Sequence, residues 1–189
     1  MESFLIGPNT VGDIPQIDSG AFVDPSARII GNVHISSGCY VGPQAVIRAD
    51  EVDADGKVAP IIIGENSNIQ DGVTIHALAG ASVSIGRRCS IAHGAVIHGP
   101  CTVGDSCFIG FRSVIFSSCL EPEVFVGISA VVQSTDLPGG SLVPPSSVVL
   151  SEHDVKKTVG EITSSEREFM TEVVEMNISL TKGYKESRK

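Results

Sequence analysis

The sequence contains no tryptophan, and aromatic residues make up only 5% of its 189 residues. Charged residues account for 19%, below the roughly 25% that is usual in soluble domains. Glycine is abundant instead, with 20 residues, and the aliphatic residues are mostly Ile and Val. This combination favours short strands joined by tight corners, and it excludes a helical bundle for most of the chain.

The chain also lacks an excess of basic residues, because 13 Lys and Arg stand against 22 Asp and Glu. The formal net charge is −9, so the chain lacks the excess positive charge that would neutralise phosphate groups. We therefore expect no nucleic-acid partner. No run approaches the ~18 apolar residues of a membrane helix, so we expect no membrane partner. The first residues, MESFLIGPNT, lack the basic and apolar regions of a signal peptide, which predicts a cytoplasmic protein.

The cysteines are five in number and show no CxxC spacing. A disulfide scaffold and a thiolate zinc finger are therefore both disfavoured. The length predicts a single domain, 1–189, that is large enough to bury a core.

Aliphatic residues recur every six positions along most of the chain. The seventeen positions are Val23, Ile29, Ile35, Val41, Ile47, Ile63, Ile69, Ile75, Ile85, Ile91, Ile97, Val103, Ile109, Ile115, Leu120, Val126 and Val132. The next residue is often Gly, and the residue two before is small or β-branched. All the cysteines except Cys119 stand two residues before a repeat aliphatic residue. We therefore expect these four to be buried in the core.

A unit of six residues is too short to fold alone, and only stacked copies bury a continuous core. The pattern resembles the hexapeptide repeat of left-handed parallel β-helices, in which three hexapeptides form one triangular turn. It predicts a mainly β fold, with a β-helix over 21–150 of between five and six turns. Loops at 51–60 and 78–84 interrupt the repeat, and such loops tend to carry function.

The repeat fades after Pro138, and 151–189 is predicted to be a helical segment. Thr163 with Glu166, and Ser165 with Glu168, both fit a capping box. The helix then carries one apolar stripe, consisting of Phe169, Val173, Met176, Leu180 and Tyr184. We expect it to lie along the β-helix, which is called the coil below, or against a neighbouring subunit.

Three polar side chains fall in one outward column of the predicted coil. Arg48, His76 and His98 each directly follow a repeat isoleucine. With three hexapeptides per turn, these residues lie on one face in successive rungs. Neighbours in this column are ~4.8 Å apart. Two imidazoles at that separation can bind one tetrahedral metal ion. The alternative is that the two histidines only stack or hydrogen-bond at the surface.

His93 lies on the preceding face, close to a corner of the triangle. Five extended residues span up to ~16 Å, and the outward direction turns at the corner, so His93 is not expected to reach an ion held by His76 and His98 of its own chain. It is placed to supply a third ligand to a neighbouring subunit. Three ligands and a water are typical of catalytic zinc, and a three-sided prism favours a cyclic trimer with shared sites.

Several stretches of the sequence resemble the γ-class carbonic anhydrase family. They are RADE (48–51), SNIQDGVTIHA (67–77), IAHGAVIHGP (91–100), VGDSCFIGFRSVIF (103–116) and NISLTKGYKE (177–186). The resemblance covers nearly the whole chain. It implies a homotrimer that catalyses the metal-dependent, reversible hydration of carbon dioxide to bicarbonate. The implied metal is Zn²⁺, with Fe²⁺ and Co²⁺ as alternatives that imidazole also suits.

The same resemblance implies a role for each matching residue. The metal ligands are His76 and His98 from one subunit and His93 from the next. The residues implied to act on the substrate, the hydroxide or the proton are Gln70, Asn68, Glu51 and Asn177. Ion pairs across the trimer interface are implied for Arg48 and Asp50, with Asp71 nearby at the same interface. Turn capping by the two aspartates, and an ordinary surface charge for the arginine, are the alternatives.

The chemistry of this ligand set fits the implied reaction. Three neutral imidazoles leave the charge of the metal ion undiluted, which lowers the pKa of a bound water from about 15.7 towards ~7. The resulting metal-bound hydroxide attacks carbon dioxide, and the Gln70 amide can accept its hydrogen and orient it. Regeneration of the hydroxide requires a proton relay to solvent, usually a carboxylate or a histidine.

The chain departs from the family pattern at two places. Ala79 stands where well-known members have a proton-shuttle glutamate, and the loop after His76 is short. Glu175 replaces a tyrosine two residues before Asn177.

The 51–60 loop offers a replacement for the missing shuttle. It contains Glu51, Asp53 and Asp55. We predict that Glu51 carries the proton relay and that the two aspartates are solvated surface charges.

Two other functions compete with carbon dioxide hydration. A hexapeptide-repeat acyltransferase would share the prism, use one histidine as a general base and bind coenzyme A between subunits. A trimeric scaffold with little or no activity would fit the missing shuttle glutamate.

Overall fold

The computed structural model describes residues 5–187. The strands of the first half are β1 Ile6–Gly7, β2 Gln16–Ile17, β3 Phe22–Val23, β4 Arg28–Gly31, β5 Val33–Ile35, β6 Tyr40–Val41, β7 Val46–Ala49, β8 Ile61–Ile63, β9 Asn68–Ile69, β10 Thr74–Ala77 and β11 Val83–Ile85. The second half contains β12 Ser90–Ile91, β13 Val96–Gly99, β14 Cys101–Val103, β15 Phe108–Ile109, β16 Val114–Phe116, β17 Cys119–Leu120, β18 Phe125–Val126, β19 Val131–Gln133, β20 Ser141–Val143, β21 Val148–Val149, α1 Glu152–Thr158, β22 Gly160–Glu161 and α2 Ser164–Ser187.

The strands form three sheets, because each pairs with strands one turn away along the chain. Sheet 1 contains β1, β4, β7, β10, β13, β16, β19 and β21. Sheet 2 contains β2, β5, β8, β11, β14 and β17, and sheet 3 contains β3, β6, β9, β12, β15, β18, β20 and β22. The strands of each sheet run parallel, apart from the antiparallel pair β20–β22. The predicted left-handed parallel β-helix with a C-terminal helix is confirmed.

The coil has about seven turns, more than the sequence repeat predicts. At its N-terminal end, Asn9 Oδ1 accepts hydrogen bonds from the amides of Val11 and Asp13, and this loop breaks the six-residue spacing of the first turn. At the other end, the coil continues beyond Pro138 as β20 and β21.

The repeat aliphatic side chains form one continuous buried core. Cys39, Cys89, Cys101 and Cys107 are buried, as predicted, and Cys119 is exposed. Burial raises the pKa of Cys39 to about 11 and that of Cys101 to about 12. These thiols therefore stay protonated at neutral pH, and they behave as small apolar side chains.

Tight packing between rungs explains the glycine that often follows the repeat aliphatic residue. At Gly110 an added Cβ would lie 2.6 Å from the carbonyl oxygen of Val126 on the next rung. A side chain at this position would force the two turns of the coil apart.

Helix α2 lies along sheet 3, in line with the sequence expectation. It begins after Thr163, whose amide donates to Glu166 Oε2 at 2.8 Å, so this capping box is confirmed, whereas Ser165 lies inside the helix. The helix buries Met170, Val174 and Thr181. Within residues 5–187, the helices are all too short or too polar to cross a membrane.

Candidate metal centre

The register of sheet 1 confirms the predicted outward column. His76 of β10 lies opposite Arg48 of β7 on one side and opposite His98 of β13 on the other. The ring centroids of the two histidines are 5.3 Å apart, with the planes at 80°. The six-residue repeat produces this arrangement, because each strand of sheet 1 presents the equivalent residue on the next rung.

Hydrogen bonding orients the ring of His98. Its Nδ1 lies 3.1 Å from the carbonyl oxygen of Gly99. A backbone carbonyl can only accept, so the hydrogen of this contact is assigned to Nδ1. This leaves Nε2 of His98 free of the carbonyl and available as a metal ligand.

Asp50 connects Arg48 to His76. Its Oδ2 accepts from Arg48 Nη1 at 2.5 Å, and its Oδ1 lies 3.2 Å from His76 Nε2. The aspartate thus holds the His76 ring. Both partners of Asp50 belong to the same chain, whereas the family resemblance implies that Arg48 and Asp50 form ion pairs between subunits.

Glu51 lies beside the same histidine. Its Oε1 is 3.6 Å from His76 Nε2, and its Oε2 accepts from the amide of Ala79 at 3.1 Å. The carboxylate of Glu51 therefore lies against the residue that stands in place of the family's shuttle glutamate. Asp53 caps its own turn instead, since its Oδ1 accepts from the amides of Asp55 and Lys57.

His93 occupies the corner between β12 and β13, away from this column. Its side chain is 51% exposed, and its Nδ1 lies 3.6 Å from Asp71 Oδ2. The corner borders a cleft of about 160 Å³ between the coil and α2. The residues that line it are Asn68, Gln70, Ser90, Ala92, His93, Phe108, Phe111, Phe169, Val173 and Asn177.

Three amide side chains meet in this cleft. Gln70 Nε2 donates to Asn68 Oδ1 and to Asn177 Oδ1, both at 2.8 Å. Asn177 Nδ2 donates to the carbonyl oxygen of Val173 within α2. The Gln70 amide group is thereby fixed with both hydrogens used, and its Oε1 is left as the acceptor.

Glu175, which departs from the family pattern, points to a different part of the surface. It forms an ion pair with Arg88 at 2.7 Å, at the corner between sheets 2 and 3. Arg167 and Glu123 form a second ion pair between α2 and this corner. The substitution at 175 therefore contributes a contact that holds α2 on the coil.

The donor set suits a divalent metal ion, but one chain carries only part of it. Among residues 5–187, no three His, Cys, Asp or Glu side chains lie close enough together to hold a metal ion. His76 and His98 form a pair, and a hydrogen-bonding partner contacts each ring, Asp50 for His76 and the Gly99 carbonyl for His98, as is usual for metal-binding histidines. Within the described chain, two of the three predicted ligands thus lie together and His93 lies apart from them.

The sequence analysis missed the aromatic residues beside the histidines. Phe111 and Phe116 follow His93 and His98, respectively, by 18 residues, which is one uninterrupted turn of the coil. This spacing was the available signal, because it puts each phenylalanine on the rung next to its histidine.

Comparisons with known proteins identify relatives of this chain. Residues 82–117 match the family model described as bacterial transferase hexapeptide (six repeats). Carbonic anhydrase of Methanosarcina thermophila is 34% identical over 92% of this chain and 76% of its own length. The carboxysome assembly protein CcmM of Nostoc sp. is 36% identical over 89% of this chain, but the match spans only 31% of that protein.

The fold also matches a solved structure. A hexapeptide transferase family protein from Anaplasma phagocytophilum superimposes with a TM-score of 0.80 and 25% identity, over 95% of this chain and 98% of that one. The chain therefore shares its coil with a protein described as a transferase, and much of its sequence with a carbonic anhydrase.

Proposed function

Because this chain belongs to the γ-class carbonic anhydrase family, we propose that it catalyses the reversible hydration of carbon dioxide to bicarbonate. The observation that carries the proposal is the column of Arg48, His76 and His98, with His93 at the neighbouring corner. This pattern supplies three imidazoles, which an acyltransferase with a single general base would not need.

The proposed site is shared between the subunits of a homotrimer. His76 and His98 of one subunit and His93 of a neighbour would hold Zn²⁺, Fe²⁺ or Co²⁺. Such an ion, when bound, lowers the pKa of a coordinated water towards ~7. Closed cyclic symmetry gives every subunit the same two half-sites, so a trimer contains three complete sites.

Gln70 orients the attacking water in this proposal. Its two amide hydrogens are taken by Asn68 and Asn177, so Oε1 can only accept. A water that donates to Oε1 directs its lone pair away from the glutamine, towards the carbon of the substrate. Asn177 joins α2 to this network, and the apolar part of the cleft suits a nonpolar molecule such as carbon dioxide.

Glu51 moves the proton out of the site. Its Oε1 lies 3.6 Å from His76, and its side chain is 41% exposed, so it can exchange protons with buffer. Arg48, Asp50 and Asp71 are assigned to the trimer interface. The position of these residues supports the assignment, since Asp50 contacts His76 and Asp71 contacts His93, although the Arg48–Asp50 ion pair itself forms within one chain.

Metal analysis of anaerobically purified protein, combined with stopped-flow hydration of carbon dioxide, tests the proposal. We expect one metal ion per chain and measurable hydration, and His98→Ala should abolish both. His34→Ala is the matched control, because His34 lies on sheet 2, where its Nε2 contacts Asn32.

Two results would contradict the proposal and identify the competing functions. Bound metal without hydration would indicate a scaffold. Absence of metal, together with acyl transfer from acetyl-coenzyme A, would indicate an acyltransferase.

A further inference from the structure

Two histidines of the proposed metal site each contact a phenylalanine on the next rung of the coil. His98 of β13 lies opposite Phe116 of β16. The amide of Arg112 donates to the carbonyl oxygen of His93 at 3.0 Å, which places Phe111 directly above the His93 corner. The same one-turn step therefore relates both pairs.

The rings of these pairs are in direct aromatic contact. His93 and Phe111 are stacked, with centroids 5.6 Å apart and planes only 10° from parallel. His98 and Phe116 are 5.4 Å apart at an angle of 62°. Both geometries are among those that aromatic pairs prefer.

The contact matters most for His93, because little else restrains that ring. The side chain is half exposed, and Asp71 at 3.6 Å is its nearest charged partner. A side chain at an open corner samples several rotamers unless a neighbour selects one of them. Phe111, itself 39% exposed, covers one face of the imidazole and selects the stacked orientation.

The aromatic rings also give the site two different sides. On the N-terminal side of the histidines lie Arg48 and Asp71. On the C-terminal side lie Phe116 in sheet 1 and Phe111 at the corner. The proposed site therefore has charged side chains on one side and aromatic rings on the other.

We infer that Phe111 and Phe116 are positioning residues, which hold His93 and His98 in the orientation that binds the metal ion. The inference rests on the proposed metal site and adds residues to it. Fixing a ligand before the ion arrives lowers the entropic cost of binding, as the hydrogen-bonding partners of metal-binding histidines do.

The test compares Phe111→Leu and Phe116→Leu with the ring-retaining variants Phe111→Tyr and Phe116→Tyr. Phe125→Leu is the matched control: Phe125 lies in sheet 3, and it contacts Phe108 and Phe169 rather than a histidine. Co²⁺ affinity is measured by absorbance titration, and sedimentation velocity shows that each variant keeps the wild-type assembly. A second readout is the NMR spectrum of metal-free protein with labelled histidine.

We expect each leucine variant to bind Co²⁺ about 10-fold more weakly, as for other residues that orient metal ligands. The tyrosine variants and Phe125→Leu should bind as the wild type does. In the NMR spectrum, the His93 ring protons should lose their upfield ring-current shift in Phe111→Leu and keep it in Phe111→Tyr.

The measurements distinguish a failure of the positioning inference from a failure of the proposed function. If the wild type binds Co²⁺ and the leucine variants bind it equally well, the positioning inference is wrong while the proposed function stands. If the wild type itself binds no metal, the proposed function is wrong, and the inference is overturned with it.

Discussion

The hydrogen bonds that hold the side chains of the proposed site come partly from residues that are distant in sequence. Gln70 is held by Asn68, two residues before it, and by Asn177, which is 107 residues away in sequence. Asp50 likewise links Arg48 to His76 across neighbouring rungs. An isolated motif in the sequence therefore identifies such residues, but it does not show which atom of each is left free to act.

The first prediction concerns Glu51. Glu51→Ala should lower kcat by about 10-fold or more in dilute buffer and leave kcat/KM unchanged, because only the return of the proton to solvent is impaired. Stopped-flow hydration over a range of imidazole concentrations measures this, and small buffer molecules should restore kcat.

Asp53→Ala is the control in the same loop. Asp53 caps its own turn, so this variant should lose some thermal stability and keep its kcat. An unchanged kcat in Glu51→Ala would show that the relay runs elsewhere.

At the scale of elements, the sequence pattern predicts the start of helix α2 but not the face that the helix buries. The predicted apolar stripe contacts the coil at both ends, with Phe169 against Phe108 and Tyr184 against Phe22. Val173 packs against the buried cluster that contains Phe108. In the middle, Met176 is 69% exposed. The start of α2 could be predicted, because capping is local. The face that it buries could not, because this depends on the rings that sheet 3 presents.

The strands were easier to predict, because their period is fixed by the coil itself. The repeat gave the register that aligns Arg48, His76 and His98, and it needed no knowledge of distant contacts. It missed the first turn and the last one, where the Asn9 loop and the stretch after Pro138 break the spacing.

The second prediction tests the packing between rungs. Gly110→Ala should destabilise the protein by about 1–3 kcal/mol, because the added methyl group would lie 2.6 Å from the Val126 carbonyl oxygen. Gly183→Ala should instead stabilise it by roughly 0.5–1 kcal/mol, because Gly183 lies inside α2 with no atom within 4 Å of an added Cβ.

Thermal unfolding of both variants, followed by circular dichroism, measures the two effects. Equal melting temperatures for Gly110→Ala and the wild type would show that the rungs can separate at no cost.

At the scale of the whole molecule, the fold class followed from the six-residue repeat, while the completed site did not. His93 and the pair formed by His76 and His98 lie at different positions on the surface of the prism, and no third ligand joins the pair within residues 5–187. A single chain can show two half-sites. The way in which subunits join them depends on an interface that the sequence of one chain does not encode in any simple period.

The central claim is that these half-sites complement each other between subunits, and mixed trimers test it most directly. His93→Ala, and separately the double variant His76→Ala/His98→Ala, should each fold but neither bind the catalytic metal nor hydrate carbon dioxide. In a mixed ring, one junction always joins an intact His76–His98 pair to an intact His93.

The decisive measurement is the metal content and hydration activity of trimers that are refolded together from the two variants, each carrying a different affinity tag. Random mixing of the subunits should restore about a quarter of the wild-type sites, because three-quarters of the trimers are mixed and each of these rebuilds one site of three. If the tags show that mixed trimers form, but their metal content and hydration activity stay at background, the account of a site shared between subunits is contradicted.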